Sequence, residues 1–160
     1  MSGPARDETT LLVEPGWIKV VESGEGKFTE HLLDGRHRLL ADEPVAAGGN
    51  DRGPGPYELL LMSLGACTTM TLRLYAERKR WPLQRVSVEL RHHKIHADDC
   101  ADCETKHGML DRIERVIALE GALDAAQRQR LMEIADMCPV HRTLTSEIKI
   151  ETRMASGVSP

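Results

Sequence analysis

Apolar and polar positions change period several times along this chain. Short alternations at Trp17, Lys19 and Val21, then at Phe28 and His31 to Leu33, then from Arg36 to Ala41 predict three short strands. Turns at 22–26 (Glu-Ser-Gly-Glu-Gly) and at Asp34-Gly35 separate them. The Gly/Pro-rich stretch 48–56 predicts a loop, and Pro56 is placed to open a helix running from about Tyr57 to Lys79. In that helix Leu60, Leu64, Cys67, Thr71 and Leu74 form an apolar stripe expected to face the core. Leu61, Met62 and Met70 widen the apolar surface beyond what one sheet covers, so part of it is expected to meet a second subunit. Arg73, Arg78, Lys79 and Arg80 suit the negative end of the helix dipole, and Trp81-Pro82 stops the helix.

From Leu83 to His96 the pattern returns to period two, with Val86, Val88 and Leu90 on one face of a half-buried strand. A loop from Ala97 to Gly108 follows, then a strand carrying Ile113, Ile117 and Leu119 that ends at Gly121. Asp124-Ala-Ala-Gln127 reads as a capping box opening a helix to about Met137, with Leu131, Ile134 and Ala135 inward. Ile148 and Ile150 predict a closing strand. The order describes an α+β protein, with helices covering one side of a mainly antiparallel sheet.

A length of 160 residues fits one domain, expected over 15–152 with loose tails at 1–14 and 153–160. Lys and Arg total 21 against 25 Asp and Glu, a mildly acidic balance that argues against a nucleic-acid surface or a polybasic membrane patch. The first 14 residues lack an apolar core of the signal type, and no run of eighteen uninterrupted apolar residues follows. The expectation is a cytoplasmic protein, without membrane or nucleic-acid partners, where cysteines serve as core, metal or catalytic thiols rather than structural disulfides.

Four cysteines are the candidate chemistry. Cys67 lies mid-helix among apolar neighbours, where a buried structural thiol and a reactive one activated by a cation or dipole from elsewhere are both open. Cys138 precedes Pro139, a good first residue for a short helix through Leu144 that would make Cys138 its cap. His141 would share a face with it, so a Cys/His nucleophile for acyl transfer or hydrolysis stands beside a tuned redox thiol. Cys100 and Cys103 form a CxxC in a loop flanked by His96 and His107. Zinc, an auxiliary redox pair, or two reduced thiols without special role are the alternatives, and no metal ligand is assigned. The run Asp111 to Arg115 reads as a solvated face.

Asp42-Glu43-Pro44, the loop and helix start Gly53-Pro54-Gly55-Pro56-Tyr57-Glu58-Leu59-Leu60, the segment Gly65-Ala66-Cys67-Thr68 and Cys138-Pro139-Val140-His141-Arg142 together resemble the OsmC/Ohr family of osmotically inducible and organic hydroperoxide resistance proteins, over about residues 17–152. The resemblance implies an OsmC-like fold with a long central helix, an intertwined homodimer, and a thiol peroxidase with Cys67 peroxidatic and Cys138 resolving. It implies an organic hydroperoxide or hydrogen peroxide as substrate and no bound cofactor; the alternatives are the Cys138/His141 acyl-transfer or hydrolytic enzyme and a non-enzymatic small-molecule or zinc-binding module that keeps the fold without the reaction. Turnover would draw on an external reductant, either a thiol protein or a small dithiol of the lipoyl type. Family members carry a glutamate ten residues before the reactive cysteine, partnered by an N-terminal arginine. Here Tyr57 is ten back and Glu58 nine, and nine residues at about 100° each set Glu58 opposite Cys67 on a regular helix. Glu58 is therefore expected to reach Cys67 through an irregular helix start or from a second subunit; the arginine is unplaced, since Arg36 and Arg38 lie in the right half of the chain but no motif fixes either.

Overall fold

The computed structural model describes residues 12–155; most of each expected tail, 1–11 and 156–160, lies outside the described residues. The chain divides into two compact units, 1–60 and 61–160, with the boundary inside the long helix.

In the first unit, β1 (Lys19–Glu22), β2 (Glu30–Leu33) and β3 (Arg38–Ala41) form an antiparallel meander in that order. Lys19 faces Leu33 across one ladder, and Leu33 faces Arg38 across the other. Asp34 builds the second turn: its carboxylate accepts from His37 Nδ1 at 2.7 Å and from the backbone N–H groups of His37 and Arg36. Those bonds, the His37 side chain first, hold its carboxyl well below the usual carboxylate range. Beyond β3 the Gly/Pro-rich stretch wraps around buried Asp42. Burial pushes that carboxyl up, but bonds from Thr29 Oγ1 and the Glu43 N–H, both at 2.8 Å, and from the backbone of Asn50 and Arg52, outweigh it and hold Asp42 low. Gly49 and Gly53 are needed for close approach, since a Cβ on either would collide with the Glu43 or Leu40 carbonyl.

Helix α1 (Pro56–Lys79) leads into the second unit, where β4 (Leu83–His96) and β5 (Met109–Gly121) form a long antiparallel hairpin. Helices α2 (Ala125–Ala135) and α3 (Pro139–Leu144) follow. The capping box at α2 forms as its residues predict: Asp124 Oδ1 accepts from Gln127 N–H at 2.7 Å, and Gln127 Oε1 accepts from Asp124 N–H at 3.0 Å. Such a cap contributes about 1 kcal/mol. The core of this unit gathers Leu72, Ala76, Leu83, Leu131 and Ile134, with Tyr75 and Trp81 edge to face beside it at 5.5 Å. Leu72 and Leu131 have no exposed surface, and each contributes about 1.5–3 kcal/mol by its burial. Arg73 ties α1 to the start of β4, donating to the carbonyls of Leu83 at 2.6 Å and Gln84 at 2.8 Å.

Three expectations change. The buried face of α1 is Leu64, Gly65, Thr68, Leu72 and Ala76, turned by about one residue from the stripe that apolar periodicity picks out. Small residues suit the rotation: a Cβ on Gly65 would stand 2.9 Å from Leu90 Cδ1, so Gly65 leaves room for the Leu90 side chain of β4. Met62, Met70 and Leu74 of α1 are left exposed, and by length and composition alone α1 could cross a membrane, with mean hydropathy 1.3 over its best window. Ile148 and Ile150 form no strand; both are exposed, because no strand edge pairs with them among the described residues. Cys100 and Cys103 are joined as a disulfide rather than standing as two reduced thiols, since their Cα atoms lie only 5.5 Å apart across one tight turn.

Candidate functional site

Two helices meet at the first turn of α3. Pro139 bars α2 from continuing, and the residue before a proline is driven to extended backbone. Cys138 adopts φ −63° and ψ 141° and becomes the cap of α3. Proline at the first helical position has no N–H, so Val140 and His141 carry the first unclaimed donors of the turn. Both point at sulfur. Val140 N–H donates to Cys67 Sγ at 3.5 Å, and His141 N–H donates to Cys138 Sγ at 3.3 Å. Two thiols that are 71 positions apart in sequence thus sit on consecutive amides of one helical turn, and both are free.

The pair is not equivalent. Cys138 is 0% exposed, whereas Cys67 is half-buried and lines an open groove of about 400 Å3 with Ser63, Ala66, Met70, Leu74, Pro139 and Val140. The groove is largely apolar, and it includes Thr71 and Leu74 from the stripe expected in the core. Behind Cys138 stands Thr68, fully buried, with Oγ1 at 3.7 Å from Cys138 Sγ. The Thr68 hydroxyl donates to the Leu64 carbonyl at 2.8 Å and accepts from Arg115 Nη1 at 3.0 Å. Arg115 also donates to the Ala135 carbonyl at 3.2 Å and to Asp136 Oδ1 at 2.6 Å, which anchors β5 to the end of α2.

Arg115 is the residue that sequence reading misplaced. Its side chain is 12% exposed rather than part of a solvated face. A signal existed: Ile113, Arg115 and Ile117 are two apart in a strand and so share its apolar face. His141 meets Cys138 through its backbone N–H, while its ring leans toward Asp136, with Nδ1 3.9 Å from Oδ1. Glu58, Arg36 and Arg38 belong to the first unit. Glu58 lies in the first turn of α1 with its carboxylate folded back over Gly55, and α1 is helical from Pro56, so the irregular start is absent. Arg38 is bonded to the ring of His31, 2.7 Å from Nε2.

A long helix packed on antiparallel strands, with a helical thiol and a helix-capping thiol on consecutive amides of one turn, defines a class to which the chain can be matched. Residues 48–153 match the family described as OsmC-like protein, and the chain belongs to that family. Solved structures share its fold: an OsmC-like protein from Mycoplasma pneumoniae at 18% identity and TM-score 0.60, covering 79% of this chain and 84% of that one. An organic hydroperoxide resistance protein OsmC from Legionella pneumophila gives 20% identity and TM-score 0.57, covering 81% and 88%. The organic hydroperoxide resistance protein OhrB of Bacillus subtilis gives 21% and 0.53, covering 81% and 90%. No curated protein matches the chain.

Proposed function

We propose that this protein is a thiol peroxidase that reduces organic hydroperoxides in defence against oxidative stress, with Cys67 peroxidatic and Cys138 resolving. The observation that carries the reading is the pair of consecutive α3 amides, one on each free sulfur. N–H donors aimed at sulfur are suited to the negative charge of thiolate chemistry, and their placement on one turn brings both sulfurs to one helix end. The exposure difference supports this division of roles, because a peroxide entering the groove would meet Cys67 while Cys138 lies beneath the surface.

The Cys67 thiolate attacks the distal peroxide oxygen; the O–O bond breaks, an alcohol leaves once protonated, and Cys67 becomes a sulfenic acid. The Cys138 thiol then displaces the sulfenic hydroxyl as water and forms the disulfide. A dithiol outside the chain returns two thiols by exchange and departs as its own disulfide. The Met70 and Leu74 walls favour a hydroperoxide with an apolar body. Names of the relatives agree with this chemistry, since two of those described above are organic hydroperoxide resistance proteins.

The test is intact-mass measurement and peptide mapping after one equivalent of an organic hydroperoxide. A loss of two mass units with Cys67 and Cys138 in one cross-linked peptide pair is expected; unchanged thiols, or oxidation at Cys138 with Cys67 untouched, would overturn the reading. The active form is taken to be a homodimer, supported by exposed Met62, Met70 and Leu74 on α1 and by the unpaired apolar Ile148 and Ile150. Light scattering should give twice the 17.8 kDa chain mass, and a monomer throughout micromolar dilution would reject the dimer.

A further inference from the structure

The β4–β5 hairpin ends in a segment that the thiol chemistry above does not use. Ala97–Asp99 make one 3-10 turn, Cys100 N–H bonds back to the Ala97 carbonyl at 3.1 Å, and Ala97 N–H closes the loop on the Gly108 carbonyl at 2.8 Å. At this tip Cys100 and Cys103 form their disulfide, with Asp102 exposed between them. The Asp102 carboxylate stands 3.5 Å from Cys100 Sγ, and one donor atom each from Cys100, Asp102 and Cys103 lies within 4.8 Å of the others. The tip is remote from the other thiols. Arg115, which bonds Thr68 beside Cys138, pairs with Leu90, and His96 ends the strand six residues further on. At about 3.3 Å per residue that is about 20 Å, too far for exchange within one chain.

We propose that Cys100, Asp102 and Cys103 form a redox-gated site for a thiophilic divalent cation of the zinc type, shut while the disulfide stands and opened by its reduction. A dithiol reduces the bond by exchange: the protein gains two electrons and two protons as two thiols, and the dithiol leaves as a cyclic disulfide. Metal binding then displaces both thiol protons, leaving two thiolates and one carboxylate around the ion. Zinc–sulfur bonds of about 2.3 Å in tetrahedral geometry set the two sulfurs about 3.8 Å apart. A Cα separation of 5.5 Å spans that as readily as it spans the disulfide. Asp102 supplies the third ligand and water the fourth, the three-ligand arrangement of an open site. The CxxC motif suggested His96 and His107 as partners; the structure brings Asp102 to the sulfurs instead. This site does not depend on the peroxidase reading.

The experiment is a zinc titration against a chromophoric chelator, on the full chain carrying Cys67→Ser and Cys138→Ser so that only the tip thiols remain. Phosphine-reduced protein should take up one equivalent of zinc, and air-oxidised protein none. Asp102→Asn should weaken binding by at least about tenfold, a loss typical even of residues one step removed from a metal. Cys100→Ser/Cys103→Ser should abolish it, and His96→Ala/His107→Ala should leave it unchanged. No uptake by the reduced protein, equal uptake by the oxidised protein, or persistence in the Cys100→Ser/Cys103→Ser variant would overturn the site. Loss in the histidine variant with none in Asp102→Asn would overturn its ligand set.

Discussion

The chain carries two cysteine pairs, and the fold treats them in opposite ways. Cys100 and Cys103 are three residues apart on an exposed hairpin tip, and local turn geometry alone joins them. Cys67 and Cys138 need an entire unit to meet: α1 delivers one, the α2–α3 junction the other, and each sulfur stays free on its own amide. A near pair needs only an oxidant to close, whereas a distant pair can be brought to consecutive amides of one helix and left free. The second arrangement suits a peroxidase, which must present a free thiol before oxidation and a partner immediately after it. Surroundings differ in the same sense. Fixed donors and the buried Thr68–Arg115 pair back the distant cysteines, while the near pair has an exposed carboxylate and the Lys106 ammonium, which is tied to the Cys103 carbonyl at 2.6 Å.

The largest expected effect separates the two members of the distant pair. Cys67→Ser should abolish hydroperoxide consumption, while Cys138→Ser should permit one oxidation and then stall at a Cys67 sulfenic acid or a mixed disulfide. A dimedone-type probe and stoichiometric peroxide assays read this directly. Equal turnover by Cys67→Ser, or sulfenic acid trapped only on Cys138, would reverse the roles.

A smaller effect should come from Thr68, which backs Cys138 and not the tip. Thr68→Val keeps the shape but removes the hydroxyl that accepts from Arg115 Nη1 and donates to the Leu64 carbonyl, leaving Arg115 Nη1, among the described residues, only the Ala135 carbonyl. Stability should fall by about 1–3 kcal/mol, seen as a lowered Tm. Beyond that general loss, formation of the Cys67–Cys138 disulfide after oxidation should slow while the first oxidation of Cys67 keeps its rate, because the sulfur the hydroxyl meets is that of Cys138. Thr68→Ser restores the hydroxyl and should restore the second step. Quenched-flow mass spectrometry resolves the two steps, and equal slowing of both would reduce Thr68 to a packing role.

How much of this was legible depends on whether the deciding contact was local. β4 runs from Leu83 to His96 as its alternation predicts, and the Asp124 box and the Pro139 helix appear where short-range rules put them. The quoted motifs sufficed for the family, which the match over 48–153 bears out. Non-local choices were not readable. The rotation of α1 depends on Leu90 arriving over Gly65, and a strand at Ile148 and Ile150 needs an edge that the sequence does not locate. Arg115 looks like surface by residue type, and only its phase within β5 turns it inward. Nothing in the sequence marks Asp102, because a carboxylate inside a CxxC comes within reach of the two sulfurs only once the turn is folded.

The smallest expected effect sharpens the contrast most. Cys100→Ser/Cys103→Ser removes the near pair entirely and should leave hydroperoxide turnover within about twofold of the parent, since about 20 Å of strand separates the tip from the Thr68–Cys138 contact. The same variant does cost stability, because a disulfide restricts the unfolded chain; a loop this short closes so little chain that the loss lies at the low end of a typical range of about 2–4 kcal/mol. Calorimetry on oxidised and phosphine-reduced parent should show the same modest gap, and the variant should match the reduced parent. Should turnover collapse in the variant while its melting transition stays sharp and Cys67 still reacts with one equivalent of peroxide, the tip would be acting in reductant delivery, and the two pairs would work in series rather than apart.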